Sequence, residues 1–588
     1  MCGIVGQLNF NEPVNERVFR QMNNTLAHRG PDGEGYYFST DKKIALGHRR
    51  LALIDLSENG AQPMPNEDKT IWLICNGEIY NYIELRDELK KQGHRFKSGS
   101  DSEVIVHGYE QWGIEVVQKL KGMFAFSLLD ERKQKIFLVR DRFGIKPLYY
   151  YHDQNRFLFG SEIKAIINNP AVVRELDISS MCDYLVYRYI PNPKSIWKRI
   201  SKLPPAHYLE VNFNGIMKLN EYWRLQAENR KINEKELIEQ VNEMLSNSVH
   251  THLRSDVPVG TFLSGGYDSS ALVFYQNKLN HNTITFSAGF DNWEESEHRY
   301  AEMVAGEFKT KHFSTVIGQD SFDVMEKLMY YYDEPLGDIS IIPTFLISKF
   351  AACQVKTVMS GEGADEIFCG YSWHTPPKKD FVTQFFLDSL NTSFYDYSQE
   401  QYASVMAMGR FTFQGLADLL DEDLGRFIPE YPDWFYKKNY NENLHGVKKF
   451  QYADLKAFMG ELILTKVDRA SMANSLEVRV PFLDHELVEF IFQLHPGSYF
   501  RRKKRKFPLY ENIKNHLPSK ILNRPKQGFV GPDTFYMNYK WYEDVIRNGK
   551  LLKEKFIREE KFNEMLEQKD HWRLWKLAVL EFWLRNWN

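Results

Sequence analysis

The rhythm of apolar and polar positions changes along the chain and predicts its elements. Up to about residue 225, "KIALGHRRLALIDL", "TIWLICNGEIYN", "GMFAFSLLDERKQKIFLVRDR" and "RFLFGSEI" alternate or run apolar over strand lengths, punctuated by Gly, Asn and Asp. Helical spacing predicts helices at "VNERVFRQMNNTLA", "NYIELRDELKKQG" and "SEVIVHGYEQWG". "AHYLEVNFNGIMKLNEYW" predicts a closing hairpin that turns at Asn-Gly. "RLQAENRKINEKE" is polar and charged, as a linker is. Beyond about 230 the texture becomes strand–helix alternation: "VPVGTFL", "SSALVFYQNKL", "TITFSAGF", "SEHRYAEMVAGEF", "KHFSTVI", a long helical stretch, then "VKTVMS". Such alternation predicts a parallel sheet with helical crossovers. From about 375 onward the pattern is mostly helical, with no internal repeat.

The two textures predict two α/β domains, 1–225 and 226–588, and 588 residues exceed what one core usually serves. A net charge of −3 gives no global argument for nucleic acid or an anionic membrane. No stretch offers about 18 consecutive apolar residues, so no membrane span is expected. The first residues lack the layout of a signal peptide. Five scattered cysteines (2, 75, 182, 353, 369) form neither a disulfide framework nor a metal pattern, which points to a reducing, cytoplasmic setting. Cys182, Cys353 and Cys369 read as structural. Small-molecule partners are expected, with a homodimer possible by base rate.

Chemistry concentrates in a few stretches. In "FLSGGYDSS", Ser264, Gly265 and Gly266 end a predicted strand, and Asp268, Ser269 and Ser270 open a helix. Inward backbone N–H groups and a helix N-terminus make an anion cradle suited to phosphate. Asp268 would repel that anion unless a cation intervenes, so it is a candidate Mg²⁺ ligand. The bland alternative is a capped strand-to-helix turn. "VMSGEGADEIFCGY" brings Ser360, Gly361, Glu362 and Asp365 to the end of another parallel strand, where such sheets bind ligands. The two carboxylates there could instead only complement a helix dipole. At the other end, "MCGIVG" places a thiol at position 2. Cys2 either opens an edge strand or, once Met1 is removed, holds a nucleophile beside its own α-amino base.

"SGGxDSS", "MCGIVG", "HRGPDG", "RLALIDL", "NGEIYN", "GSDSE", "RDRFGIKPLYY" and "KVDRASMANSLEVRVPFLD" occur in the order of one family. Over nearly its whole length the chain resembles the glutamine-hydrolysing asparagine synthetases. That resemblance implies an N-terminal αββα N-terminal-nucleophile hydrolase sandwich. It also implies a doubly wound parallel sheet of the ATP-pyrophosphatase type, with a helical C-terminal part. It implies that Cys2 attacks the carboxamide of glutamine. Asn76 and Gly77 would hold the oxyanion, Arg50 the α-carboxylate, and Glu78 with Asp101 the ammonium. Arg29 would be a scaffold contact near the thiol. In the second half, Ser264, Gly265, Gly266, Ser269 and Ser270 would cradle pyrophosphate, and Asp268 and Asp365 would hold Mg²⁺. Leu263, Ala288, Ser360 and Gly361 would frame the adenosine of ATP, and Glu362 would orient and deprotonate ammonia.

The run "RRKKRK" reads by itself as a solvated loop or a nucleic-acid or import signal. The resemblance instead implies that Lys506, or failing it Lys504, reaches the ATP phosphates. "RPKQGF" resembles a pocket-edge motif, and "HWRLWKLAVLEFWLRNWN" reads as a core-facing helix rather than a membrane-surface one. Ammonia made at one site and consumed at an acyl-adenylate implies a dry internal channel. The acceptor implied by the family is aspartate. "DEPLGDISIIPTFLISK" and the tyrosine of "SGGYDSS" resemble relatives found with bacterial surface-sugar pathways, so a uronic acid carboxylate is the alternative acceptor. A non-catalytic regulatory relative would have lost Cys2, Asn76, Asp101, Asp268 or Asp365, and all are present. A sulfur- or acyl-transferring ATP enzyme would not need the glutamine set.

Overall fold

Alternation in the first 221 residues is realised as twelve strands: β1 (Gly3–Asn9), β2 (Gly33–Phe38), β3 (Ile44–Arg50), β4 (Met64–Pro65), β5 (Ile71–Ile79), β6 (Gly122–Asp130), β7 (Lys135–Arg140), β8 (Tyr149–His152), β9 (Arg156–Gly160), β10 (Ile200–Lys202), β11 (His207–Asn212) and β12 (Met217–Glu221). The computed structural model describes residues 2–279, 282–291, 293, 296–375, 398–406, 408–501, 504–524 and 528–587. The strands form two sheets, ordered β10-β8-β9-β1-β3-β2 and β12-β11-β7-β6-β5-β4. Period-two patterning turns one face of each sheet inward. Ile4, Leu8 and Leu46 of the first sheet pack in one cluster with Ile74, Leu129 and Leu138 of the second. Helices Glu16–Asn24 and Ile163–Ile167 cover the first sheet. Helices Tyr82–Lys91 and Glu103–Trp112 cover the second through Leu85, Leu89 and Val104. The result is the expected four-layer αββα sandwich. The predicted hairpin is β11–β12, and Gly215 takes φ +82° in its turn, where only a residue without Cβ is unstrained.

The second half builds one parallel sheet from β13 (Val259–Phe262), β14 (Ile284–Phe290), β15 (Lys311–Ile317), β16 (Thr357–Met359) and β17 (Glu477–Arg479). Its order is β15-β14-β13-β16-β17, and every neighbouring pair is parallel. The winding reverses between β13 and β16. Loops leaving these two strands diverge there and open a crevice at the sheet's carboxyl edge. β17 departs from the helical reading of the tail. Three residues are too few to show alternation, and Glu477 and Arg479 are charged although fully buried. Residues 376–397, expected to be helical, lie outside the described residues.

The C-terminal helix His571–Trp587 is a core element, as its spacing predicts. Trp575 and Trp583 are fully buried in it, and the Trp583 indole N–H donates to the Asp333 carbonyl at 2.6 Å. Among the described residues no helix is long and apolar enough to cross a membrane. All five cysteines are free. Cys182 and Cys369 are buried, but Cys353 is exposed, so it does not serve the core as expected. Trp583→Ala should cost about 3–5 kcal/mol by the cavity it opens. A fall in the urea midpoint followed by tryptophan fluorescence and far-UV dichroism measures this, and an unchanged midpoint contradicts it.

Candidate active sites

Cys2 lies directly before β1. Gly3 pairs with Arg49 of β3, so one antiparallel step onward sets Cys2 opposite Arg50. The Cys2 backbone N–H donates to Asn76 Oδ1 at 3.0 Å. Asn76 is fully buried on β5, and its Nδ2 has no hydrogen-bond partner. A buried amide donor left unmade is costly unless something accepts from it. On the same strand the Cys75 N–H donates to Gln62 Oε1 at 2.6 Å, and the Ile79 N–H donates to Asp101 Oδ2 at 2.7 Å. Strand alternation turns the Gly77 N–H to that same side, between the two. The thiol of Cys2, a side-chain donor and a backbone donor are thus brought together by one strand pair and one neighbouring sheet.

Burial pushes the Cys2 thiol above its ordinary range, so it does not ionise unaided near neutrality. Burial also raises the carboxyls of Glu78 and Asp101, and the charges of Glu477 and Asp101 push Glu78 further up. Three acids around one guanidinium, Arg479, leave a surplus of acceptors that suits an ammonium group. Arg50 donates to the carbonyls of Ser57, at 2.7 Å, and Asp55, which closes the loop beside the site.

The sequence reading missed what the second half contributes. Arg479 Nη2 lies 3.3 Å from Glu78, while its Nε donates to Glu477 at 2.6 Å. Arg29, with no exposed surface, donates from Nε to the Cys2 carbonyl at 3.1 Å, as a scaffold contact should. It also donates to Glu162 at 2.8 Å and to Asp468 at 2.9 and 3.0 Å. Asp468 belongs to helix Thr465–Met472, whose Arg469 lies 2.9 Å from Glu162 and 3.4 Å from Asp333. The only available signal was the stretch "KVDRASMANSLEVRVPFLD", which shows no periodicity that marks interface charges.

A cavity of about 840 Å³ occupies the crevice between β13 and β16. Leu263, Ser264, Gly265, Gly266, Asp268 and Ser269 border it from the first loop; Ser360, Gly361, Glu362 and Asp365 border it from the second, with Ala288 nearby. Gly265 has φ +73°, and a Cβ there would meet the Tyr300 backbone at 2.6 Å, so no other residue makes this turn without strain. Ser270 is the exception among the expected residues. It points away from the cavity, fully buried on helix Tyr267–Lys278, because one helical step past Ser269 turns it toward the core. Glu362 Oε2 is a buried acceptor with no hydrogen-bond partner.

Lys506 is the N-cap of helix Phe507–Ile513 and holds the strained φ of +51°. Its ammonium lies 2.5 Å from Asp268 and 2.7 Å from Asp365. Burial opposes the charge of Lys506, and the two carboxylates more than restore it. Two carboxylates that converge on one point form a hard-oxygen donor set that fits Mg²⁺. Lys504 also borders the cavity but is spent on Glu511 at 3.2 Å. Residues 502 and 503 of the basic run and 525–527 of "RPKQGF" lie outside the described residues. Arg524 of that motif donates to the Ser264 carbonyl at 3.1 Å and to Glu297 at 2.9 Å, which ties it to the first loop. Tyr267 and Asp338, Ser340, Thr344 and Ile347 of "DEPLGDISIIPTFLISK" form another wall.

The chain matches two family models, glutamine amidotransferase domain over residues 1–223 and asparagine synthase over residues 240–585. It is similar to asparagine synthetase [glutamine-hydrolyzing] 1 of Bacillus subtilis (strain 168), at 32% identity over 99% of this chain and 96% of that one. Asparagine synthetase [glutamine-hydrolyzing] 2 of the same organism is 32% identical over 95% of this chain and 75% of its own length. Amidase chry2 of Gibberella zeae is 29% identical over 87% of this chain and 84% of its own.

Asp468→Ala would leave Arg29 buried with half its carboxylate partners gone. Removing one partner of a buried pair costs about 3–5 kcal/mol, so the unfolding temperature should fall by several degrees. Differential scanning calorimetry checks this, and an unchanged transition argues against Arg29 as the tie between the halves.

Proposed function

Because the chain belongs to the glutamine-hydrolysing asparagine synthetase family, we propose that its two halves, 1–225 and 226–588, carry a glutaminase and an ATP-dependent synthetase. The chain is an asparagine synthetase-like, glutamine-dependent amidotransferase, and its family uses ATP as a substrate. After removal of Met1, Cys2 attacks the glutamine carboxamide while its own α-amino group, with a reference pKa of about 8, takes the thiol proton. Asn76 Nδ2 and the Gly77 N–H receive the oxyanion. Arg50 takes the α-carboxylate, and Glu78 with Asp101 takes the ammonium. A thioester and ammonia result, and water then frees glutamate. One observation carries this half: Asn76 accepts from the Cys2 nitrogen at 3.0 Å and keeps its buried Nδ2 free.

In the synthetase half, Ser264, Gly265, Gly266 and Ser269 cradle the departing pyrophosphate, and Ser270 supports the loop from behind. Leu263, Ala288, Ser360 and Gly361 frame the adenosine, and Lys506 moves from its carboxylates to the phosphates. Asp268 and Asp365 would hold Mg²⁺, which neutralises phosphate charge when bound. The acceptor carboxylate attacks the α-phosphorus to give an acyl-adenylate. Glu362 orients and deprotonates ammonia, which displaces AMP. Helix Thr465–Met472 links the sites: Met472 packs with Leu51 and Leu53, and Lys466 and Val467 border the cavity. The route of ammonia, kept from water, is proposed to run beside this helix. The free cysteines support a cytoplasmic setting.

The proposed acceptor is aspartate, which yields asparagine. A uronic acid carboxylate is the second reading, favoured by the fact that "DEPLGDISIIPTFLISK" and Tyr267 line the cavity. Purified protein supplied with glutamine, ATP, Mg²⁺ and aspartate should release AMP and asparagine. Cys2→Ala should lose at least about a thousandfold of the glutamine-driven rate while ammonium salts still drive synthesis. Undiminished glutamine use by that variant, or Met1 still attached in active protein by mass spectrometry, overturns the mechanism. Glutaminase kcat/KM should fall as pH drops below about 8, where the α-amino base takes up its proton.

A further inference from the structure

Two imidazoles and two carboxylates converge at the surface of the first half, away from Cys2. Helix Glu103–Trp112 sets Glu103, His107 and Glu110 along one side, because positions three and four apart share a helical face. The segment after helix Tyr82–Lys91 returns His94 to that side, and the β4–β5 turn brings Glu67. Glu110 Oε2 lies 3.1 Å from His107 Nδ1 and 3.7 Å from His94 Nδ1, and Glu67 Oε2 lies 3.8 Å from His107 Nδ1. One ligand atom each of His94, His107 and Glu110 lies within 4.8 Å of the other two. The far sides of these three residues are held as well. His107 Nε2 faces Glu103 Oε1 at 3.5 Å, and Glu103 is itself fixed by the N–H groups of Lys97, at 2.7 Å, and Ser98, at 2.8 Å. His94 Nε2 donates to Gln111 Oε1 at 3.2 Å, and Asn66 Nδ2 donates to Glu110 Oε1 at 2.8 Å.

Those outer partners decide how the rings present themselves. The oxygens of Glu103 and Gln111 accept, so the one N–H of each neutral ring sits on Nε2. Both Nδ1 lone pairs then face carboxylate oxygens, and four acceptors meet with no donor among them. Only positive charge in their midst reconciles them. A second proton on each ring would supply it, but 3.7 Å between His94 and Glu110 is too far for a proton to be shared. A four-coordinate ion with bonds of about 2.0–2.2 Å sets its ligand atoms about 3.3–3.6 Å apart, close to the 3.1, 3.7 and 3.8 Å found here. We propose that His94, His107, Glu110 and Glu67 bind one Zn²⁺. Mixed imidazole and carboxylate donors suit Zn²⁺ rather than Mg²⁺ or Ca²⁺, which take oxygens. Imidazoles braced from behind by a carboxylate or an amide are the usual surroundings of such an ion. The protein fills all four positions, so the site is structural. It ties the segment that carries Asp101 to helix Glu103–Trp112 and to the β4–β5 turn.

Full-length protein, stripped with a chelator and held in excess Mg²⁺ to occupy all-oxygen sites, tests this by calorimetric titration with Zn²⁺. The wild type should take up one equivalent with a Kd of about 1 μM or tighter. Co²⁺ in its place should give the intense visible bands of a tetrahedral site. His94→Ala and Glu110→Gln should each weaken zinc binding by about 100-fold or more and abolish the cobalt bands. Glu103→Gln, behind His107, should weaken binding by about 10–100-fold. Far-UV dichroism checks that each variant is folded. Failure of the wild type to bind zinc, a pale octahedral cobalt spectrum, or folded His94→Ala and Glu110→Gln proteins that bind as tightly as the wild type overturns the site. The two wild-type measurements decide the matter even where a variant does not fold.

Discussion

A guanidinium without exposed surface is stable only where several oxygens replace its water. Arg29 meets that condition by reaching into both halves of the chain: Cys2 and Glu162 on one side, Asp468 on the other. Desolvating such ions costs several kcal/mol each, so the cluster is favourable only when complete. Arg469 completes it from the same helix as Asp468, and Lys164 does so beside Glu162 and Asp333. Pulling the halves apart would strand these charges, so the interface holds them as one body. The backbone of Cys2 is thereby positioned by a helix whose other end borders the cavity of the second half.

What could be read from the sequence was local. The loops "SGGYDSS" and "SGEGADE" each carry their small residues and carboxylates within a few positions, and Asn76, Gly77 and Glu78 are consecutive. Strand alternation gave both sheets of the sandwich because one face of each is buried. What escaped depends on proximity between distant segments. Asp468 meets Arg29 across 439 positions. Arg479 reaches the first half from a strand too short to alternate. Of the described basic residues at 501 and 504–506, Lys506, at the start of helix Phe507–Ile513, pairs with Asp268 and Asp365, which the run itself does not reveal. Cys353, read as structural, is exposed, because residue type alone does not say which way a side chain faces.

Both sites gather carboxylates around a single cation. Around Cys2, burial holds the carboxyls of Glu78 and Asp101 above their ordinary range, while nearby positive charges, Arg479 among them, hold Glu477 down at about 2. Around the crevice, Asp268 and Asp365 share the one ammonium of Lys506, so the three groups keep a net negative charge that a cation would offset. Neither arrangement stabilises the fold well by itself. Both are economical if a ligand supplies the missing charge, as are the unpartnered oxygen of Glu362 and the unpartnered nitrogen of Asn76.

The ammonia transfer proposed above would face a chemical constraint that the packing suits. It remains a nucleophile only while unprotonated, and both ends of its route are rich in acids. The material beside helix Thr465–Met472 is apolar: Leu51, whose backbone reaches the Cys2 thiol, clusters with Leu53 and Met472, and Val467, Ile463 and Phe458 border the cavity. The nearby charges of Arg29, Glu162, Asp468 and Arg469 are bound to one another. A neutral molecule crosses apolar surroundings at little cost, whereas ammonium would have to shed its water without a partner. On the proposed mechanism, the same interface that ties the halves together would also select the form of nitrogen that reaches the acceptor.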